Sequence, residues 1–329
     1  MFDWSDEAER LCTQLGIDKI REASVLLSTA YREARSTDSP RLSGDALLGA
    51  YLAVRFPATM AAALAASRAV ALSIANRAGI PDYRPESLLD LGAGCGAGAL
   101  ALQEVWPTLN AITAIEQLPA MVKTGRQLLP DATWRTATVE SITEFPPHDI
   151  VLLNYALGET KALPIERAWQ AARQLLIIVE PGTPHGFATI LNARQRLLDA
   201  GASIVAPCPA NAPCPAAGND WCHFAARLNR SALHRRLKGG TLSYEDEKFS
   251  YLAAWRGSLT PGALRVIRHP LIEPGRIQVE VCAAPARGSL TGTKRDKERF
   301  RIFRKIRWGD ELDRDAGLSP NPPKTGSST

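Results

Sequence analysis

Between residues 5 and 78 apolar positions recur at helical spacing, through Leu47, Leu48, Tyr51, Leu52 and Val54, in a stretch rich in Ala, Leu and Arg. Turn-forming residues gather at Ser36 to Ser43. The pattern predicts an N-terminal helical region over residues 1–85. Pro81 and Pro85 close it, because proline ends helices and biases its predecessor toward extended backbone.

From residue 86 the rhythm changes. Short apolar runs at Ser87–Leu91, Ala111–Ile115, Asp149–Leu153 and Leu175–Val179 alternate with helical stretches at Ala97–Trp106, Leu118–Leu129 and Phe187–Ala200. Buried strands alternating with helices of this length predict an α/β class, a doubly wound parallel sheet covered on both faces. Ala202–Val205 adds a strand, and the sheet domain is expected over 86–205. A Pro- and Cys-rich segment, 206–275, is expected as an insertion. Ile277–Cys282 is expected to return to the sheet, opening a unit over 276–310, and 311–329 is expected to be a disordered tail.

Composition narrows the class. Hydrophobic residues make up 45% and charged residues 22% of the 329-residue chain, and no apolar run in the sequence reaches the roughly 18 residues a membrane span needs. The expectation is a chain with no membrane role. Asp3, Asp6, Glu7 and Glu9 precede the first arginine, unlike a basic leader, so a cytoplasmic location is expected. Charge is segregated: residues 1–222 hold 18 basic and 23 acidic side chains, net −5, whereas residues 223–310 hold 19 and 8, net +11. A basic half fits a polyanion partner, or simply a solvated face.

Chemistry begins at Asp90-Leu91-Gly92-Ala93-Gly94-Cys95-Gly96, which runs from a strand through a glycine turn into a helix. Gly92, Gly94 and Gly96 let a ligand lie against the backbone at a helix start. Asp90 places a carboxylate near that ligand, which suits a cationic methionine moiety better than a pyrophosphate. Glu116, 24 residues after Gly92, stands where an acid accepts from ribose hydroxyls. Together these resemble class I S-adenosylmethionine-dependent methyltransferases, implying a Rossmann-like sheet and that cofactor, with Asn154 completing the candidate set. The fourth strand ends in Asn154-Tyr155-Ala156-Leu157 and lacks the Pro-Pro-aromatic sequence that holds acceptor amines. No catalytic base is assigned.

Cys208, Cys214 and Cys222 are separated by five and seven residues, and Cys282 follows 60 positions later. Zinc knuckles usually pair cysteines two to four apart, which these are not. The repeated Cys-Pro step is also seen at iron–sulfur cysteines. Spacing alone leaves an iron–sulfur cluster, zinc with Cys222 or His223, and unligated buried cysteines open.

The segments Glu180-Pro181-Gly182-Thr183-Pro184-His185-Gly186-Phe187, Ala206-Pro207-Cys208-Pro209, Cys214-Pro215, Asp220-Trp221-Cys222-His223-Phe224 and Tyr244–Tyr251, with Trp308-Gly309-Asp310, are more specific together. They resemble the methyltransferase-like family associated with the small ribosomal subunit, whose mitochondrial members act in assembling it. The resemblance implies a four-iron four-sulfur cluster on Cys208, Cys214, Cys222 and Cys282, and binding to small-subunit ribosomal RNA, with methyl transfer either retained or lost. A monomer is expected. Arg227, Arg230, Arg235 and Arg236, then Lys294, Arg295, Arg301, Arg304, Lys305 and Arg307, are the candidate RNA contacts. Phe300, Phe303 and Trp308 between them are candidates to stack on bases, unless the rings join the core. His223 and His234 are expected to serve packing or phosphate contact. Glu245, Asp246 and Glu247 are expected as a helix start or arginine partners.

Overall fold

The computed structural model describes residues 3–33, 44–159, 165–218 and 220–312. Of the expected tail, 311–329, residues 313–329 lie outside them, as does the turn cluster at 36–43, whereas Glu311–Leu312 form a short strand, which corrects the expectation there.

Helices α1 (Trp4–Leu15), α2 (Ile17–Glu33) and α3 (Asp45–Ala50) lead through a π-helical turn (Tyr51–Arg55) into α4 (Phe56–Arg77). Asp3 caps α1 by accepting from the Ser5 amide at 2.7 Å. The run from Asp45 to Arg77 is long and apolar enough to cross a membrane by length and composition. That corrects the expectation that no stretch reaches span length. Half of its most apolar window is buried within the protein, where Ala62, Ala66, Val70 and Ile74 pack on the sheet.

The order then follows the predicted alternation: β1 (Ser87–Leu91), α5 (Ala97–Val105), β2 (Ala111–Glu116), α6 (Pro119–Leu128), β3 (Thr133–Thr136), β4 (His148–Asn154), α7 (Ile165–Ala171), β5 (Ala172–Pro181), α8 (Pro184–Asp199) and β6 (Ser203–Ala206). Ile150 to Leu153 and Leu175 to Val179 are fully buried, as strands covered on both faces must be. Thr183 accepts from the Gly186 amide and Pro184 opens α8, which fixes where β5 hands over to the helix.

The next segment departs from expectation. After the cysteine loop come β7 (Phe224–Asn229), α9 (Ala232–Lys238) and β8 (Tyr244–Trp255). β8 inserts antiparallel between β5 and β6, giving the order β3-β2-β1-β4-β5-β8-β6, with β7 on β8. The strand that returns to the first sheet is therefore β8. Ile277–Cys282 lies in β11 (Arg276–Cys282) of a second sheet, with β9 (Leu264–Val266), β10 (Leu271–Glu273), β12 (Arg287–Thr293) and β13 (Glu311–Leu312). β11 pairs with β12 along its whole length, and with α10 (Lys297–Phe303) beside them Val279, Val281, Leu290 and Phe303 form a core of their own.

Candidate functional site

β1 lies between β2 and β4, so the crevice beyond β1 and β4 is the switch point of the doubly wound sheet, where ligands of such folds bind. The glycine turn sits there. Gly92, Gly94 and Gly96 have φ of +75°, +56° and +92°, a region side chains rarely adopt. They also admit close neighbours: a Cβ on Gly92 would lie 2.8 Å from the Ala156 Cβ, and one on Gly94 2.5 Å from the Tyr51 hydroxyl. The π-helical turn thus reaches over the loop from the N-terminal region, an approach nothing in the local sequence announced. Glu116 is buried, and its carboxylate accepts from the Gly94 amide at 2.9 Å and the Leu118 amide at 2.8 Å. Burial raises its pKa against these amides. A carboxylate offers about four lone-pair sites, so acceptor capacity remains for a ribose.

Asp90 is wholly enclosed, and neither carboxylate oxygen makes a hydrogen bond of good geometry, the Ala99 amide being the donor that lies near it. Burial pushes its pKa up to about 7, with the nearby Ala99 amide opposing and the Glu116 charge reinforcing the rise. An orphaned buried carboxylate beside a glycine turn fits a positively charged ligand. Asn154, at the end of β4, has a buried carbonyl oxygen without a partner.

The next residue, Tyr155, adopts φ +58°, rare for an aromatic residue. Its hydroxyl donates to Glu247 at 2.9 Å, and Arg55 covers its ring at 5.3 Å while pairing with Glu247 at 3.2 Å. Sequence inspection missed Arg55, Tyr155 and Glu247 as a unit, because three distant segments supply them.

The four cysteines come together. Cys208, Cys214 and Cys222 belong to the loop after β6, Cys282 ends β11 in the other sheet, and all four line one cavity between the sheets. Arg194, Arg265, Arg268 and Arg287 line it too. Burial pushes the Cys282 thiol up to about 11, and burial together with the other thiols raises Cys222 further. The Arg194 Nε is buried without an acceptor, while its Nη2 holds the loop through the Ala212 carbonyl at 2.7 Å. Among the described residues no three or more His, Cys, Asp or Glu side chains are grouped to hold a single metal ion. His223 stacks on Trp221 and is not one of the cavity's lining residues.

The basic candidates divide. Arg227 pairs with Asp246 at 2.8 Å, and Arg230 and Lys238 pair with Glu245 at 2.8 and 2.5 Å. Burial would raise the Glu245 pKa, but hydrogen bonds from His234, Lys238 and Arg230 outweigh it and hold it far below the carboxylate range. Arg227 and Arg230, candidate RNA contacts, are thus also partners of the acidic triplet, which lies in a strand, not a helix start. Arg235 is half-buried and Arg236 exposed on α9. Lys294, Arg295, Arg301, Arg304, Lys305 and Arg307 are exposed, and none enters an ion pair among the described residues. The rings between them are taken up by packing. Phe303 is core, Phe300 packs on it, and Trp308 stands edge-on to His223 and His269 at 4.9 and 4.6 Å.

The chain is 24% identical over 283 residues to the ribosome assembly protein METTL17, mitochondrial, of Homo sapiens, covering 76% of this chain and 60% of that one. It is 25% identical over 294 residues to the Rsm22-cox11 tandem protein 2, mitochondrial, of Schizosaccharomyces pombe, covering 69% and 38%. The chain thus spans less than two thirds of the length of these relatives. Among solved structures, the plantazolicin methyltransferase BpumL aligns at a TM-score of 0.40 and 12% identity, over 74% of this chain and 99% of that one. Residues 46–313 match the family described as mitochondrial small ribosomal subunit Rsm22, and the chain belongs to that family.

Proposed function

We propose that this protein docks on small-subunit ribosomal RNA during assembly, binds S-adenosylmethionine at its switch-point crevice, and carries a four-iron four-sulfur cluster on Cys208, Cys214, Cys222 and Cys282. The observation that carries the proposal is the meeting of those four side chains at one cavity, although they come from two sheets. Membership of a family described by the small ribosomal subunit, and a human relative named a ribosome assembly protein, support the partner. Four cysteine sulfurs are also a set that a tetrahedral zinc takes, and the repeated Cys-Pro step together with the resemblance to the small-subunit family favours the four-iron cluster. The four arginines around the cavity would offset its net negative charge.

S-adenosylmethionine, when bound, supplies an electrophilic methyl group. The orphaned Asp90 carboxylate would answer its positive charge, Glu116 would accept from the ribose, and the glycine turn would give the close backbone approach. One observation favours a second reading, in which methyl transfer is lost and the cofactor braces the fold. The position after β4 that would present an acceptor is filled by Tyr155, Arg55 and Glu247 bonded to one another.

In either case the protein acts in the cytoplasm as a monomer, through the exposed basic arm of residues 294–307. The test is sedimentation with small-subunit particles, together with mapping of methylated nucleotides in cells carrying Gly94→Arg. Co-sedimentation is expected in the wild type and is reduced in the variant. A methyl mark lost with the variant selects the enzyme, and unchanged marks select the silent factor. A wild-type protein absent from subunit fractions contradicts the proposal.

A further inference from the structure

The first three cysteines and the fourth reach their cavity from different sheets, so something must hold those sheets together at that point. Two tethers fasten the cysteine loop to the first sheet. The Ser250 hydroxyl of β8 donates to the Cys222 carbonyl at 2.8 Å, and the Trp221 Nε1 donates to the Gly182 carbonyl at 3.1 Å. Asp220, next to Trp221, reaches the other way. Its Oδ1 accepts from the Trp221 amide at 2.8 Å, and its Oδ2 accepts from Arg287 at 2.7 Å and from Arg268. Arg287 opens β12 directly opposite Cys282 on β11, and Arg268 follows β9, a strand of the same sheet. All three side chains line the cavity and are 23–25% exposed, so they stand where it meets solvent.

Charge alone does not account for Asp220. A carboxylate beside four thiolates opposes their ionisation, and it takes up two of the arginines that would offset the negative charge of a cluster. What it supplies is a tie between sheets, one carboxylate accepting charge-assisted hydrogen bonds from two guanidinium groups of the second sheet. At the start of the loop Arg265 of β9 makes a separate tie. It donates to the Pro207 carbonyl at 3.1 Å and pairs with Glu311 at 2.6 Å, so the Cys208 side stays joined without Asp220. We infer that Asp220 is the positioning residue that brings Cys282 to Cys222, by locking the cysteine loop onto the second sheet through Arg268 and Arg287. The inference rests on the cluster reading above for what the cavity holds, and adds what assembles it.

The test compares the full chain with Asp220→Asn and Asp220→Glu, in anaerobically purified protein and again after iron is stripped with EDTA under reductant. Thermal melting checks that each variant folds. In the metal-free protein, alkylation by iodoacetamide is followed residue by residue in mass spectrometry. Asp220→Asn should quicken it about three- to tenfold at Cys222 and Cys282 and leave Cys208 unchanged. In the loaded protein the same variant should release iron to EDTA faster by a similar factor. Asp220→Glu keeps the charge and should recover much of both losses. Should Asp220→Asn fail to fold, Arg287→Gln breaks the same tie from the other sheet and should expose the same two thiols. Alkylation unchanged by Asp220→Asn overturns the inference, and so does an equal rise at all four cysteines, which marks general loosening. Iron held more firmly by Asp220→Asn than by the wild type assigns the carboxylate a purely electrostatic part and likewise overturns it. A wild type purified without iron overturns the cluster reading, while the alkylation pattern still decides the tie.

Discussion

The Tyr155 hydroxyl donates to the Glu247 carboxylate at 2.9 Å, joining the end of β4 to the acidic start of β8 across the mouth of the switch-point crevice. Arg55 closes the triangle from the turn before α4. Tyr155 holds a left-handed conformation to make this bond, the kind of local strain that packed surroundings must offset.

Removing one member should therefore be costly. Glu247→Ala removes the carboxylate that both Arg55 and Tyr155 bond and should destabilise the fold by more than Tyr155→Phe, which loses one hydrogen bond and should cost about 1 kcal/mol. Denaturant unfolding of the two variants checks the ranking, and equal losses would show that the ion pair is not what the site depends on.

At the glycine turn two effects combine. Gly94→Ala must hold φ near +56° and push its methyl against the Tyr51 hydroxyl, so it should lower stability and abolish S-adenosylmethionine binding in calorimetry. Adding Tyr51→Phe removes the hydroxyl that the methyl meets at 2.5 Å while keeping the buried ring, and should recover part of the loss, with the backbone penalty of about 1–2 kcal/mol remaining. A double variant no more stable than Gly94→Ala would rule out the overlying tyrosine as the source of the constraint.

Asp90 makes stability depend on pH in a fixed direction. Its pKa is raised to about 7 in the fold, so the native protein keeps a proton there that the unfolded chain gives up near the ordinary carboxylate value. The penalty for charging the buried group is absent at low pH, grows as pH climbs through the interval up to about 7, and is constant above it. Asp90→Asn should remove this penalty. The variant should melt above the wild type at about pH 8 and close to it at about pH 4, and it should bind S-adenosylmethionine more weakly. A melting difference that does not grow with pH would contradict the buried, unpartnered state of this carboxylate.

What could be read from the chain follows from locality. β1, β4 and β5 are buried on both faces and appear as continuous apolar runs, and the glycine turn is contiguous with β1, so these strands of the first sheet and the turn at its switch point were legible. β8 was not, because its first half is a part-buried acidic strand paired with β7 and its second half is core, giving no single period. The ion pairs that Arg227 and Arg230 make with the acidic triplet depend on the same pairing. Arg227 lies directly opposite Asp246 only once β7 and β8 are in register. Cys282 ends a strand with ordinary alternation, which misled the placement of that strand in the first sheet. β9, β10 and β13 are two or three residues long, too short for any periodicity.

Iron and sulfide content after anaerobic purification tests the central claim most directly, with Cys282→Ser measured beside the wild type. The cavity between the sheets predicts a brown protein with broad absorbance near about 400 nm and about four iron atoms per chain, lost in the variant because its remaining thiols come from one loop. A colourless wild-type protein, or one holding stoichiometric zinc, would contradict it.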